Sequence, residues 1–163
     1  INSAAFQTFK NFKKLTYMDL KKSLDINFFS IFRLFRLVEK NLSKNSGFLI
    51  NISSIHSSLT KKNFTAYSTS KSALTSLTKS LSIEVGNKIT CICIEPGAID
   101  TGMLNKTLNN NKIYKKLEKN IPVQKIARPE DIATFINFLI VSKIRYMNGS
   151  IIDISGGVKN ILI

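Results

Sequence analysis

The sequence predicts an α/β fold in which a buried parallel sheet lies between helices. Apolar runs at residues 48–53, 89–94 and 150–154 lack the polar alternation of strands that face water on one side. Segments with helical periodicity separate these runs, so consecutive strands need helical crossovers, which are right-handed in parallel sheets. The chain has 163 residues and no internal repeat, which predicts a single domain over 1–163.

The predicted elements follow in alternating order along the chain. They are a strand end at 1–6, a helix at 17–42, a strand at 48–53, a loop at 55–64, a helix at 65–86, a strand at 89–94, a polar segment at 98–120 with one short helix near 113–118, a helix at 128–141 and a strand at 150–154. Thr16 fits the N-cap of the first helix, and Gly86 fits the C-cap of the second. Residues 95–97 end the second strand, and Pro129 fits the first turn of the last helix.

The composition restricts the classes of partner that the chain can have. Hydrophobic residues make up 44 % and charged residues 21 %, which is ordinary for a globular domain. The net charge of +14 would suit nucleic acid, anionic lipid or an acidic protein. Because no nucleic-acid motif and no basic stripe interleaved with aromatic residues occurs, we predict solvent-facing lysines and no nucleic-acid partner.

Membrane segments and metal ligands are also lacking in the sequence. No apolar stretch approaches the roughly 18 residues of a membrane span, and no signal sequence begins the chain, so we expect no membrane contact and a cytoplasmic location. Cys91 and Cys93 alternate within one apolar strand, where a disulfide between them fits poorly. No Cys/His cluster accompanies them, which predicts core packing and no metal site.

The strongest chemical signal combines a serine with a tyrosine and a lysine. Ser54 follows the apolar strand at 48–53, and Tyr67 lies thirteen residues later. Lys71 is four residues beyond Tyr67, so on a helix the two side chains share one face, about 5.4 Å apart along the axis. These groups can meet in the crevice outside the carboxyl ends of the strands, where open α/β sheets bind ligands.

This arrangement resembles the short-chain dehydrogenase/reductase family, whose signature is Tyr-x-x-x-Lys preceded at that spacing by a serine. Residues 96–101 are similar to the family's Pro-Gly-x-Ile-x-Thr, and residues 128–133 and 149–157 match structural segments. The resemblance implies a Rossmann-type, doubly wound parallel sheet in three α/β/α layers. The family's N-terminal βαβ half, with its Gly-rich turn, has no counterpart among the seven glycines. We therefore expect the C-terminal portion of that fold, an N-terminally truncated fragment.

The resemblance also implies a catalytic role for four residues. Tyr67 would protonate the substrate oxygen once Lys71 lowers its pKa towards neutral, and Ser54 would orient that oxygen. Asn27, in the preceding helix, would position a water in a proton relay to the lysine. A buried amide bonded to neighbouring backbone is the alternative for Asn27. His56 lies two residues beyond Ser54, and we predict that it is a solvated loop histidine rather than a residue that lines the substrate pocket.

The implied cofactor is NAD or NADP, and the sequence does not distinguish them. Residues 2–5 partly match the family's Asn-Asn-Ala-Gly segment, with Ala5 in place of the glycine, so no positive φ is expected there. The cofactor-binding residues that the resemblance implies are Asn2, Ala4, Tyr67, Lys71, Pro96, Gly97, Ile99 and Thr101.

The implied activity is an NAD(P)-dependent interconversion of a carbonyl and a secondary alcohol, most similar to 3-oxoacyl-[acyl-carrier-protein] reductases. The basic charge would suit an acidic acyl carrier protein, and a sugar or other small alcohol is the alternative substrate. Residues 98–120 are expected to form a lid. The helices at 17–42 and 65–85 are expected to form a homodimer or homotetramer interface.

Two rival functions stay open at this point. The chain can be a catalytically incompetent remnant, or an oligomerising half that lacks the cofactor cradle. The charge of +14 leaves nucleic-acid binding as a further alternative, which steeply salt-dependent binding to duplex DNA would support.

Overall fold

A computed structural model describes residues 1–108 and 110–161, without the side chains of residues 106 and 107. The helices are α1 Tyr17–Leu24, α2 Ser30–Lys44, α3 Thr65–Glu84, α4 Gly102–Leu108, α5 Asn111–Asn120 and α6 Pro129–Ser142, and the strands are β1 Phe48–Ile52, β2 Thr90–Pro96 and β3 Ile151–Ile154. A π-helical turn, Asp25–Phe29, joins α1 directly to α2. The alternation of strands and helices that the sequence predicts is confirmed.

The sheet is parallel, with β2 between β1 and β3 in the part of the chain that the structure describes. Ile50 lies opposite Ile92, and Ile94 lies opposite Ile152. On the outer side of β1, the Asn2 N–H donates to Ile50 O at 2.9 Å, which confirms the predicted strand end near the start of the chain. The carboxyl ends of all these strands therefore lie at one edge of the sheet.

Helices cover both faces of this sheet. On one face, α6 contributes to an apolar cluster formed by Ile50, Ile92, Ile94, Ile132, Ile136 and Leu139. On the other face, α2 and α3 contribute to a second cluster formed by Phe35, Leu49, Leu81, Ile89 and Cys91. The three-layer arrangement is thus confirmed. Cys91 and Cys93 are free and buried, as predicted, and burial raises the pKa of Cys91 to about 11.

Two element ends differ from the prediction. Helix α3 ends at Glu84, and Gly86 lacks the left-handed conformation of a glycine C-cap. It is a close-approach glycine, because a Cβ there would lie 2.2 Å from Ser82 O. Strand β2 does not end before residue 95, since Glu95 and Pro96 still pair with β3. Pairing between distant segments extends this strand beyond its apolar run.

The predicted lid at 98–120 contains more regular structure than the sequence indicates. Two helices, α4 and α5, occupy most of it, where one short helix near 113–118 is predicted. Asn110 is the N-cap of α5, and its side chain accepts a hydrogen bond from Lys112 N at 2.7 Å. Residue 109 of the predicted lid lies outside the described residues.

A bilayer-crossing helix would need greater length and apolarity than any helix among residues 1–108 and 110–161 possesses. The cytoplasmic location stays a prediction.

Candidate active site

The start of α3 is tied to the end of β1 by hydrogen bonds between the two elements. Lys71 is only 1 % exposed, and its ammonium donates to Ile52 O at 2.8 Å. In the opposite direction, the Ser53 hydroxyl donates to Lys71 O at 3.0 Å. The helix and the strand thereby hold Lys71 at the carboxyl edge of the sheet, where the sequence places it.

Ser54 and Tyr67 meet at this edge. The Ser54 hydroxyl accepts a hydrogen bond from His56 N at 3.1 Å, and its proximity to the Tyr67 side chain acts to lower the pKa of Tyr67. The Lys71 Nζ lies 5.8 Å from the centroid of the Tyr67 ring. The structure therefore brings together the serine, tyrosine and lysine that the sequence analysis selects.

Burial changes the acidity of both titratable groups. It raises the pKa of Tyr67, and the hydrogen bond from Ser54 opposes this only partly. Burial also lowers the pKa of Lys71 to about 8. The expectation that the Tyr67 pKa falls towards neutral is therefore wrong for this structure, because loss of water disfavours both the phenolate and the ammonium. Tyr67 is kept in its protonated form, which is the form that can donate a proton.

An aromatic group of three rings forms one wall beside Tyr67. The Phe64 ring lies 4.6 Å from the His56 ring and 5.8 Å from the Tyr67 ring, centroid to centroid. His56 Nδ1 is 3.2 Å from Leu59 O. Burial and the nearby Lys61 charge lower the pKa of His56. The expected solvated histidine is therefore a half-buried, neutral one, because the loop at 55–64 folds back over α3.

Asn27 lies in the π-helical turn and is fully buried. Its amide nitrogen donates to Phe6 O at 2.8 Å and to Ser70 Oγ at 2.9 Å. Its amide oxygen accepts from Phe6 N at 2.7 Å. These contacts match the backbone-bonded alternative left open by the sequence, and the relay role stays a prediction. π-helical turns occur frequently at functional sites.

The residues predicted to bind the cofactor lie in three parts of the chain, at residues 2–4, at residues 67 and 71, and at residues 96–101. Ile99 and Thr101 line a cavity of about 440 Å³ together with Ser3 and Ile52. The rest of its lining is mainly apolar and, apart from Ile1, comes from α6. Tyr67 and Lys71 lie outside this lining. A flat ring with an amide, such as nicotinamide, fits such a wall, whereas the described residues provide no Gly-rich turn for a pyrophosphate.

The remaining predicted cofactor residues have structural contacts as well. Asn2 Nδ2 donates to Asn51 Oδ1 at 2.7 Å, and Ala4 is exposed. Pro96 is buried at the end of β2. The backbone of Gly97 passes so close to Ser155 that a Cβ at residue 97 would lie 2.9 Å from Ser155 Cα.

A family model described as enoyl-(acyl carrier protein) reductase matches residues 1–159. The chain belongs to the short-chain dehydrogenase/reductase family. Within this family, carbonyl reductase [NADPH] 2 of Sus scrofa is 29 % identical over 160 residues, which cover 96 % of this chain and 66 % of the relative. The 3-oxoacyl-[acyl-carrier-protein] reductase FabG of Buchnera aphidicola subsp. Baizongia pistaciae is 33 % identical over 159 residues, or 96 % of this chain and 64 % of that protein.

A solved member of the short-chain dehydrogenase/reductase family agrees with this assignment. The structure of 7α-hydroxysteroid dehydrogenase complexed with NADH and 7-oxo glycochenodeoxycholic acid matches with a TM-score of 0.87 and 31 % identity. The match covers 96 % of this chain and 61 % of that one. The chain thus spans about two thirds of the length of the curated relatives described above.

A buried polar cluster that is not among the sequence-based predictions lies next to this family's Ser-Tyr-Lys motif. It consists of Glu95, Thr75, Ser53, Ser57 and Lys159. A glutamate at the end of an otherwise apolar strand is the signal that could have found it, because a buried carboxylate needs partners. Asn51, an amide within the apolar strand β1, gives the same kind of signal for its bonds to Asn2 and Thr78.

Proposed function

We propose that the chain forms the catalytic part of an NAD- or NADP-dependent oxidoreductase that interconverts a carbonyl and a secondary alcohol. The observation that carries this proposal is the meeting of three buried residues, Ser54, Tyr67 and Lys71, with the Lys71 Nζ 5.8 Å from the centroid of the Tyr67 ring. Two relatives, a carbonyl reductase and a 3-oxoacyl-[acyl-carrier-protein] reductase, support the same reaction class.

The proposal of NAD or NADP as the cofactor rests on the cofactors named for two similar proteins and on one cavity. The Sus scrofa relative is named for NADPH, and the solved hydroxysteroid dehydrogenase is complexed with NADH, so both nicotinamide cofactors are supported. Ile99 and Thr101, which line the cavity, would contact the nicotinamide end. Lys71 and Tyr67 lie outside this lining, and their part in cofactor binding rests on the family resemblance. When bound, the reduced cofactor supplies a hydride to the carbonyl carbon.

The protein's own contribution is to bind and protonate the carbonyl oxygen. Tyr67, protonated because burial raises its pKa, donates its proton to that oxygen as negative charge develops there. The Ser54 hydroxyl donates a hydrogen bond to the same oxygen and fixes its direction. The Lys71 ammonium, close to the ring, stabilises the phenolate that remains on Tyr67. Asn27, whose amide donates to Ser70 Oγ, would support reprotonation of Tyr67 by positioning a water in a relay to Lys71.

The substrate class that we favour is a 3-oxoacyl thioester, carried on an acidic acyl carrier protein. The 33 % identity to a reductase of that name supports this class, and the net charge of +14 suits an acidic carrier. Turnover of an acetoacetyl thioester, compared with an aldose under the same conditions, separates this class from a sugar substrate. A preference for the carrier-bound thioester that disappears at high salt would support the carrier.

The Tyr67→Phe substitution tests the mechanism directly. It removes one buried hydroxyl, so the turnover number should fall by about a thousandfold, the scale expected for loss of a general acid. Binding of NADH or NADPH, measured by fluorescence titration, should change little. Tyr146 is fully exposed, and Tyr146→Phe serves as the matched control that removes the same group without effect. Unchanged turnover in Tyr67→Phe would contradict the proposed function.

We also propose that the chain forms a homodimer or homotetramer through the π turn, α1, α2 and α3. Apolar side chains on these helices face water, including Phe32 at 44 %, Leu37 at 80 % and Ile83 at 86 % exposure. Exposed apolar patches of this kind mark protein interfaces. Light scattering after size-exclusion chromatography should give a multimer mass that Leu37→Lys lowers. Val141→Lys, at an equally exposed apolar residue of α6, should leave it unchanged.

A further inference from the structure

A fully buried carboxylate lies at the carboxyl end of β2. Glu95 is 1 % exposed, and its side chain contacts three different elements. One oxygen accepts hydrogen bonds from the Ser57 hydroxyl and, at 3.1 Å, from Thr75 Oγ1. The other oxygen lies 2.5 Å from the Lys159 ammonium. A buried charge is unfavourable unless it is paired and hydrogen-bonded, and here both conditions are met.

One branch of these contacts leads to Ser54. Ser57 ends the short turn that starts directly after Ser54, and its N–H donates to Ser54 O at 2.9 Å. The Ser72 hydroxyl of α3 donates to Ser57 O at 2.6 Å. The turn that carries the Ser54 hydroxyl is therefore fixed from two sides, by Glu95 and by Ser72.

The other branch leads to Lys71. The one Thr75 hydroxyl proton is shared between Glu95 Oε1 and Ser53 Oγ, which lies 2.9 Å from Thr75 Oγ1, and the Ser53 hydroxyl donates to Lys71 O. The carboxylate of Glu95 thus reaches the backbone of Lys71 through two side chains. The hydrogen bonds of this carboxylate join the Ser54 turn, α3 and the last turn Val158–Asn160.

We propose that the Glu95–Lys159 ion pair is a positioning device that sets the geometry of Ser54 and Lys71. The inference rests on the proposed function, because it assigns a task to residues that act through the Ser-Tyr-Lys site. It makes the turn Val158–Asn160, distant from Tyr67 in sequence, a part of the catalytic apparatus. Stability alone is a weak reason for a buried ion pair, since apolar residues of similar volume often stabilise as well.

Ser57→Ala gives the sharpest test, because it cuts the link between the ion pair and the Ser54 turn while leaving both charges in place. It should lower the turnover number at saturating substrate about tenfold, since small misplacements of reacting groups are costly. Ser57→Thr, which keeps a hydroxyl, should restore most of it. Ser58→Ala is the matched control, because that hydroxyl bonds only within its own turn, to Ile55 O at 3.4 Å.

The ion pair itself is tested by Glu95→Gln, Lys159→Met and their combination. Glutamine keeps an acceptor for Ser57 but turns an amide N–H₂ towards the Lys159 ammonium. Each single variant should therefore lose turnover, whereas the double variant should lose less than the product of the two losses. If Glu95→Gln does not fold, the Ser57 variants still decide the question.

A readout that does not need turnover separates this inference from the proposed function. Amide hydrogen exchange at residues 54–58 should be faster in Ser57→Ala than in Ser58→Ala. If Tyr67→Phe leaves turnover unchanged, the proposed function fails, and the exchange rates still test the positioning. Turnover and exchange in Ser57→Ala that both equal those of the control would overturn the inference.

Discussion

Two segments follow the carboxyl ends of neighbouring strands, and they are held in opposite ways. After β1, the segment that carries Ser54 and α3 is fixed by buried hydrogen bonds, among them those of Lys71 and Ser53. After β2, the segment that carries α4 and α5 has exposed contacts, such as Asn105 Nδ2 to Asp100 Oδ1 at 3.1 Å. None of the side chains of α5 is buried.

The difference indicates a division of tasks along one edge of the sheet. Proton transfer needs groups that stay within a fraction of an ångström of one geometry, and buried polar networks provide that. Admission of substrate needs a surface that can move, and segments with few buried contacts open at low free energy. We propose that the chemistry is placed after β1 and that substrate selection is placed after β2.

The largest loss of stability is expected at Asn27, which lies outside the two segments and donates a hydrogen bond to Ser70 of α3. Asn27→Leu leaves the N–H and C=O of Phe6 without their side-chain partner in a buried environment. We expect the free energy of unfolding to fall by about 3 to 4 kcal/mol, from about 1 to 3 kcal/mol for each group left unpaired. Urea denaturation measures it. Asn41→Leu, at an exposed asparagine of α2, is the matched control and should stay within about 0.5 kcal/mol of the wild type.

The spacing of the proposed catalytic residues could be predicted from the sequence because these residues lie close together along the chain. Ser54, Tyr67 and Lys71 lie on one strand–loop–helix unit, so two short intervals determine where they meet. The partners of Asn27 and Glu95 could not be predicted, since Phe6 is 21 residues and Lys159 is 64 residues away. Such contacts depend on how the whole sheet and its helices pack.

The other differences also have physical causes. The run of asparagines at 109–111 suggests a loop, yet an asparagine is a favoured N-cap, and Asn110 begins α5. The pKa of Tyr67 depends on burial, which a motif does not reveal. The alternation of strands and helices along the chain, by contrast, follows from the hydrophobic pattern.

The pH dependence of stability sharpens the comparison, because the segment after β1 buries Lys71. Burial lowers the pKa of Lys71 to about 8 from its ordinary 10.5. Between these pH values the unfolded chain binds a proton that the folded protein lacks, so this group's contribution to stability rises with pH. The free energy of unfolding of the wild type minus that of Lys71→Met should increase by about 3 kcal/mol over this range.

Denaturation at several pH values checks this prediction, with Lys79→Met, at an exposed lysine of the same helix, as the control. Taking the difference between two proteins removes the contribution of groups that titrate independently of Lys71, such as Cys91. A difference that stays flat with pH would show that Lys71 is not buried in solution.

The smallest effect is expected in the second segment. Ile113 of α5 is 50 % exposed, so Ile113→Ala should lower the free energy of unfolding by at most about 0.5 kcal/mol. Leu74 of α3 is completely buried, and Leu74→Ala should cost about 3 kcal/mol by the usual range for large-to-small core changes. Equal losses for the two variants in chemical denaturation would remove the contrast between the segments.

The π-helical turn Asp25–Phe29 has a consequence for how the long helix can change by mutation. Such a turn holds one residue more than an α-helical turn, and Ser30 N accordingly donates back to Asp25 O. If the same residues continued as an uninterrupted α-helix, α1 would be rotated by about 100° relative to α2. Asn27 would then no longer face Phe6 and Ser70, although composition, length and helicity would hardly differ. The extra residue therefore sets the rotation of α1 relative to α2, and insertion of a further residue in this stretch should be tolerated far less than substitutions on the exposed face beside it.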